Sequence, residues 1–287
     1  MFWAESSKED IMELRRIRLL IADVDGTLLN AQKGLSPVTV KAIEDLQRSG
    51  IRFSLVSHRP LQGLQRLMEM LQIRSACAAL NGGVIVDEAF NVISEKSVRS
   101  AVVQEVVGTI ERHGLNPWIY TRAAWYVPSI EGPHVQHETE ALDFSPTCFE
   151  SLGEIAQPVI KVAAVGDRFS QMAACEDQLR NRLGTQLSIS RALSNHLDVS
   201  HPDANKGAAV TSIAEMLGIP LEEVATAGDG ENDIPMFRVS GLSIAMGQAA
   251  AEVHRAATHT TTSNSQDGLA WAIQDIILKR QSCSDDR

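Results

Sequence analysis

Twice along this chain short β-rich apolar runs alternate with amphipathic helical patterns, and that rhythm leaves few folds open. "IRLLIA" (17 to 22) reads as a buried strand; Ser36 and Pro37 then supply an N-cap and a first-turn proline for a helix that Gly50 ends. "IRFSLVS" (51 to 57) is the next strand, "LQGLQRLMEMLQI" the next helix and "ACAAL" a third short strand. Such βαβαβ order implies a parallel sheet with helices on its faces. After about residue 196 the rhythm returns: "HLDVS", a helix from Lys206 to Leu217 stopped by Gly218, then "VATAG", "DIPMFRVS", "LSIAM", "AAAEVHRAA" and a final helix "LAWAIQDIILKRQ". The two parts together make one α/β, doubly wound, Rossmann-like sheet.

Between them the texture changes. A helix around 98 to 112, a hairpin at "PWIYTRAAWYVP", a helix around 134 to 142, a strand "VIKVAAV", a helix "SQMAACEDQLRNRL" and a strand "TQLSIS" read as an inserted α+β domain. The expected division is residues 1–88 and 196–287 for the sheet domain and 89–195 for the insert. Residues 1 to 15 and the tail "SCSDDR" are expected to fray.

Composition narrows the partners. With 44% hydrophobic and 22% charged residues the 287-residue chain is of ordinary globular type, and its net charge of −10 offers no global basic field for nucleic acid or anionic lipid. An acidic protein that handles an anionic ligand needs a local device such as a metal ion. Cys77, Cys148, Cys175 and Cys283 are widely spaced, without C-x-x-C, as reduced thiols would be. "MFWAESSKEDIMELRR" carries acids where a signal peptide needs an apolar core, and no window approaches the ~18 apolar residues of a membrane span. The cytoplasm is the expected location, and a monomer or weak homo-oligomer the expected state.

The chemistry lies where strands end. In open α/β sheets ligands bind beyond the carboxyl ends of the strands. There "RLLIADVDGTLLN" places Asp23 and Asp25, two carboxylates that at ~5 Å and an effective dielectric near 20 repel by roughly 3 kcal/mol. Ser57 follows the second strand. Much later "VATAGDGENDIPM" ends a strand at Asp229, with Glu231 and Asp233 in the same Gly-rich turn. Either cluster alone is what a turn or helix cap carries. Two clusters at one edge of one sheet call for a hard cation between them, and an all-oxygen set suits magnesium. Lys206 opens a helix whose macrodipole disfavours a cation there, unless the lysine points at an anion.

"DVDGTLL", Ser57, Lys206 in "NKG" and "GDGENDIPM" resemble, in order, the four motifs of the haloacid dehalogenase superfamily. The insert after "NGG" (81 to 83), "KVAAVG", "AMGQA" and "DGLAWAI" look like the Cof-type branch with a class IIB α/β cap; the likeness runs from Ile17 to nearly the end. The resemblance implies a phosphatase of small phosphorylated metabolites of the sugar-phosphate type, with Asp23 as nucleophile forming an aspartyl-phosphate. Asp25 would be general acid and then base, a role that calls for a raised pKa, toward which the Asp23 charge and partial burial push. Mg²⁺ would be held by Asp23, the backbone carbonyl of Asp25 and Asp229. Asp233 would order the metal's waters, Asn232 would position that loop and Lys206, and Ser57 with Lys206 would bind the phosphoryl oxygens. Thr27 would orient the first loop. "SHRP" stands in place of the frequent T-G-R, and Gln248 in place of a frequent asparagine. Histidine rarely reaches glycine's backbone conformations, so His58 is the uncomfortable residue; beside the pocket it would narrow it or make activity pH-dependent. Arg59 is a candidate contact to substrate or cap.

Other signals weigh less. His134, His137, Glu138 and Glu140 in "HVQHETE" are taken as a solvated helix, and Trp118, Tyr120, Trp125 and Tyr126 as cap core. "GDGEND" lacks the third glycine of a dinucleotide fingerprint, and no P-loop occurs. The alternatives are a phosphomutase, which needs a basic cap group such as Arg122, Arg180, Arg182 or Arg191, and a phosphoryl-accepting signalling module, which needs neither Asp25 nor a cap.

Overall fold

The computed structural model describes residues 16–193 and 195–279, so the expected frayed ends and Cys283 lie outside the described residues. The elements run β1 (Leu19–Ala22), α1 (Pro37–Arg48), β2 (Arg52–Leu55), α2 (Gln62–Met70), β3 (Cys77–Ala79), β4 (Val84–Val86), β5 (Val92–Glu95) and α3 (Ser100–Arg112). Then come β6 (Asn116–Tyr120), β7 (Trp125–Val127), α4 (Val135–Leu142), β8 (Thr147–Cys148), β9 (Lys161–Val165), α5 (Phe169–Leu183), β10 (Ser188–Leu193) and β11 (His196–Ser200). The chain closes with α6 (Lys206–Leu217), β12 (Val224–Gly228), α7 (Ile234–Val239), β13 (Leu242–Ala245), α8 (Ala251–Ala256), β14 (His259–Thr260) and α9 (Gly268–Trp271).

Five strands form the expected doubly wound sheet, in the order β14-β13-β12-β1-β2 and parallel throughout. Both faces are covered, which is why its strands read as unbroken apolar runs. On β1, Leu20 and Ala22 join the cluster that includes Ala42, Ile43 and Leu46 of α1, while Leu19 and Ile21 point the other way, into the cluster with Val210 and Ile213 of α6. Ser36 caps α1 as expected, accepting the Thr39 N–H at 3.1 Å. β1 lies inside this sheet between β12 and β2, so the residue after Ala22 is held from both faces and by those two strands on its flanks.

The inserted cap is a six-stranded sheet in the order β10-β11-β9-β6-β7-β8, with α3 and α5 packed on it. Trp118, Tyr120 and Trp125 are buried, but in the cluster that also holds Leu20 and Ile43 of the parallel-sheet domain; of the four expected cap-core aromatics Tyr126 packs, partly buried, against the cluster under α3 and α5. "HLDVS" belongs here and not to the parallel sheet: β11 pairs antiparallel with β9 and β10, in the register Leu197 to Ala164 and Asp198 to Ser190. All five of its residues are buried, so the sequence string looks the same as that of a parallel core strand. "ACAAL" also differs. It meets β2 through a single parallel bridge, Val56 to Ala78, and pairs antiparallel with β4 in a separate three-stranded sheet with β5. Cys77, Cys148 and Cys175 are free thiols. Among the described residues no helix is long and apolar enough to cross a membrane.

Candidate active site

The carboxyl ends of three neighbouring strands bring the motif residues together. Asp23 follows β1 directly, its N–H donating to the Ala227 carbonyl at 2.9 Å; Asp229 follows β12, and Ser57 lies two residues beyond β2. Between them Gly26 turns the chain with φ +81°, and any Cβ there would lie 2.2 Å from Asp229 Oδ2. Only glycine allows both that backbone and that approach.

Asp23, Asp229 and Asp233 can each place one carboxylate oxygen within 4.8 Å of the others. Lys206, fully buried, is the cation set among them. Its Nζ lies 2.7 Å from Asp23 Oδ1 and 2.6 Å from Asp233 Oδ1, and these charges, against the cost of burial, hold its pKa above the ordinary lysine value. Asn205 caps the helix by accepting the Ala208 N–H at 2.9 Å, which fixes Lys206 at the first helical position, aimed at anions as expected. The anions met here are protein carboxylates. Asp233 uses its other oxygen, Oδ2, to accept the N–H groups of Asp229 and Gly230, both at 2.9 Å, so both of its oxygens are engaged in ordering the loop. Three carboxylates against one ammonium would, if all ionised, leave a net charge of −2 in the site. Burial raises the Asp23 pKa well above the ordinary value, with the Asp233 and Asp229 charges adding to it against Lys206. Burial and the Asp233 charge likewise lift Asp229 to about 6. Gln248 adds a donor, Nε2 reaching the Gly26 carbonyl at 2.6 Å and Asp229 Oδ2 at 3.2 Å.

Asp25, two residues on, stands in the opposite field. Arg59 holds it with two hydrogen bonds, Nε to Oδ2 at 2.6 Å and Nη2 to Oδ1 at 2.7 Å, and Lys33 Nζ lies 2.5 Å from Oδ1. Desolvation alone would raise this carboxyl, but the Arg59 hydrogen bonds and the surrounding cations outweigh it and hold the pKa far below the usual carboxylate range. The expected upward shift is therefore reversed. Repulsion from Asp23 was the only neighbour that spacing could supply, and the decisive partners come from 8 and 34 residues away.

Ser57 is buried, its Oγ accepting the Arg59 N–H at 3.1 Å. His58 keeps an ordinary backbone without positive φ. Its Nε2 lies 3.8 Å from Asp25 Oδ2, and burial, helped by Lys161, Lys206 and Arg59 against Asp25, holds the imidazole well below its ordinary pKa and so neutral. Arg59 Nη1 also reaches the Ala141 carbonyl of α4 at 3.5 Å, so this arginine touches the cap. Asn232 donates to Asn81 Oδ1 at 3.3 Å. Thr27 is buried beside the first loop.

Residues that sequence reasoning passed over also converge here. Lys33, in a turn with φ +59°, reaches Asp25. Lys161 of β9 donates to the His58 carbonyl at 3.0 Å. Glu138, taken as solvated, is half-buried on the face of α4 one turn from Ala141, and burial together with the Asp25 charge raises its pKa. A cleft of about 600 Å³ lined by Lys33, Arg59, Gln62, His137 and Ala141 separates α2 from α4. A cavity of about 700 Å³ opens at the far end of β2, around Arg52 and Phe53, and holds none of these acids.

Comparison with known proteins agrees with this geometry. A family model described as haloacid dehalogenase-like hydrolase matches residues 20–273. A putative phosphatase of Haemophilus influenzae is 28% identical over 261 residues, 90% of this chain and 97% of its own. The 5-amino-6-(5-phospho-D-ribitylamino)uracil phosphatase YcsE of Bacillus subtilis is 28% identical over 262 residues, 91% of this chain and 96% of its own. A solved haloacid dehalogenase-like hydrolase from Bacteroides thetaiotaomicron is similar with a TM-score of 0.81 at 28% identity, covering 91% of this chain and all of that one.

Proposed function

This chain belongs to the haloacid dehalogenase-like hydrolase family and is a phosphatase, and from that premise we propose that it hydrolyses small phosphorylated metabolites of the sugar-phosphate type, with Mg²⁺, through an aspartyl-phosphate on Asp23. The observation that carries the reading is the convergence of Asp23, Asp229 and Asp233 at the ends of two paired parallel strands, with a single lysine paired to two of them.

The donor set fits a hard divalent cation, because three carboxylates meet one ammonium and Asp233 is already tied up by Lys206 and two N–H groups. Asp23, Asp229 and the Asp25 carbonyl would hold Mg²⁺, which supplies charge to offset the repulsion between Asp23 and an incoming phosphate. The chain's own residues do the rest. An Asp23 oxygen attacks phosphorus, the bond from phosphorus to the ester oxygen breaks, and the departing alkoxide takes a proton from Asp25. Water then attacks the phosphoryl group, Asp25 takes its proton, and inorganic phosphate leaves as Asp23 is restored. Lys206 and Ser57 face the phosphoryl oxygens. With Arg59 and Lys33 against it Asp25 is set as a base, so its turn as acid requires those two cations to shift toward the dianionic substrate and the carboxyl to take up a proton from solvent before the ester bond breaks.

Arg180 and Arg191 of the cap line a cavity of about 210 Å³ with Lys206 and Asn232, but a mutase would need one of them free to take a second phosphate. Each cap arginine that could hold a reoriented product already faces a carboxylate: Arg122 with Glu95, Arg180 and Arg191 with Glu176, and Arg182 with Glu105. The same reading takes the enzyme as cytoplasmic and as a monomer or weak homo-oligomer. A screen of phosphorylated metabolites with Mg²⁺ or EDTA, using Asp23→Asn as control, tests it. Phosphate release that needs both Mg²⁺ and Asp23 is expected; release indifferent to either refutes the proposal, and phosphate moved without release points to a mutase.

A further inference from the structure

Asn81 is where the cap, the Ser57 strand end and the acid loop meet. It is buried and holds a left-handed backbone, φ 57° and ψ 28°, which asparagine reaches more readily than most residues. Its N–H donates to the Ser57 carbonyl at 2.8 Å. Both ends of its side chain are used: Nδ2 donates to Asp198 Oδ2 on β11 of the cap at 2.9 Å, and Oδ1 accepts from Asn232 Nδ2 in the acid loop at 3.3 Å. Asp198 Oδ1 lies 3.1 Å from Lys161 Nζ, and Lys161 donates to the His58 carbonyl at 3.0 Å with its ammonium 4.5 Å from the Tyr120 ring centre.

Lys161 and Asp198 are 3% and 1% exposed. An ion pair this deep gains little stability over a well-packed apolar pair, because desolvation cancels most of the attraction. Its contacts give it another use. Through His58 it holds the loop that carries Ser57, and through Asn81 it reaches the loop that carries Asp229 and Asp233. Both charges ride on the cap, so withdrawing the cap breaks the contacts to His58 and Asn81 together.

We propose that Asn81 and the Lys161–Asp198 pair are positioning residues that couple seating of the cap to order in the Asp229–Asp233 loop. The inference rests on reading that loop as the metal loop of the proposed phosphatase. A cap that is not seated leaves Asn81 Nδ2 and the His58 carbonyl without their partners, so the Asn81–Asn232 contact that reaches the acid loop is no longer braced and the loop loosens.

Hydrogen exchange of the backbone amides in 229–233, beside a Mg²⁺ thermal-shift titration and steady-state kinetics, tests this in Asn81→Gly, which keeps the backbone conformation, and in Asp198→Asn, nearly isosteric and confined to the cap. Exchange in 229–233 is expected to rise about tenfold or more in both variants, the loss of a hydrogen bond to a charged group. The Mg²⁺ midpoint should move to higher concentration and kcat should fall more than KM rises. Uniform acceleration across both sheets with an unchanged Mg²⁺ midpoint would make the role merely structural and overturn the inference. If Asn81→Gly fails to fold, Asp198→Asn carries the same comparison. Faster exchange in 229–233 with no Mg²⁺ response in the parent would uphold the coupling and refute the metal reading instead.

Discussion

Two carboxylates on one loop, Asp23 and Asp25, sit in opposite fields. Asp23 faces Asp229 and Asp233 with one shared ammonium among them, while Asp25 is gripped by the Arg59 guanidinium and the Lys33 ammonium. Their mutual repulsion, roughly 3 kcal/mol at an effective dielectric near 20, is therefore not what sets either one. The chain supplies Asp25 with its cations and leaves Asp23 short of one. The difference teaches where an outside ion belongs.

The sharpest way to break the comparison is Asp23→Asn. With the attacking oxygen gone, phosphate release should fall by about 10⁴-fold or more, measured as kcat. Lys206→Met comes next. It leaves Asp23 and Asp233 buried without their cation and should cost about 3–5 kcal/mol of unfolding free energy in denaturant, part of it recovered by Mg²⁺.

The pH dependence follows from the same contrast. Asp229 titrates near 6 when folded against about 3.9 unfolded, and Asp23 is also raised, so these groups favour the metal-free fold at low pH and lose that contribution as pH rises through about 6. Mg²⁺ needs the ionised forms. Its thermal stabilisation should be larger at pH 7.5 than at pH 5, and equal shifts at the two values would contradict the site.

Asp25 works with the other sign. Held below its unfolded value, it contributes stability that is full above about pH 4 and is lost progressively as the pH falls below that. Arg59→Gln should lower the melting temperature at pH 7 and converge on the parent toward pH 2, a smaller effect than that of Lys206→Met because Lys33 stays in place.

Much of this was legible before the fold. Strand-end acids announce themselves, since a chain gains nothing from a carboxylate at the end of a buried strand unless it has a use there, and Asp23, Asp229 and Lys206 meet as their positions implied. The partners of Asp25 were not legible. Lys33 sits in a turn, where a lysine reads as solvated, and Arg59 has no sequence relation to Asp25 at all. Asn81 stood only as the first residue of the "NGG" that precedes the insert, and its left-handed backbone is a signal that coordinates alone reveal. Lys161 did leave a trace, a charge inside the apolar run "VIKVAAV", where a lysine needs a partner. β11 hid for a plainer reason: an antiparallel strand covered on both faces has the same pattern as a parallel one.

The central claim is that Asp23 becomes covalently bound to phosphate in a site completed by Mg²⁺. Mixing the protein with Mg²⁺ and a radiolabelled phosphate monoester, quenching in acid within a turnover and mapping the labelled peptide tests that claim directly. An acid-stable, hydroxylamine-labile phosphate on Asp23 that is missing with EDTA is expected. Label on Ser57 or His58, or rapid turnover by Asp23→Asn, would contradict it.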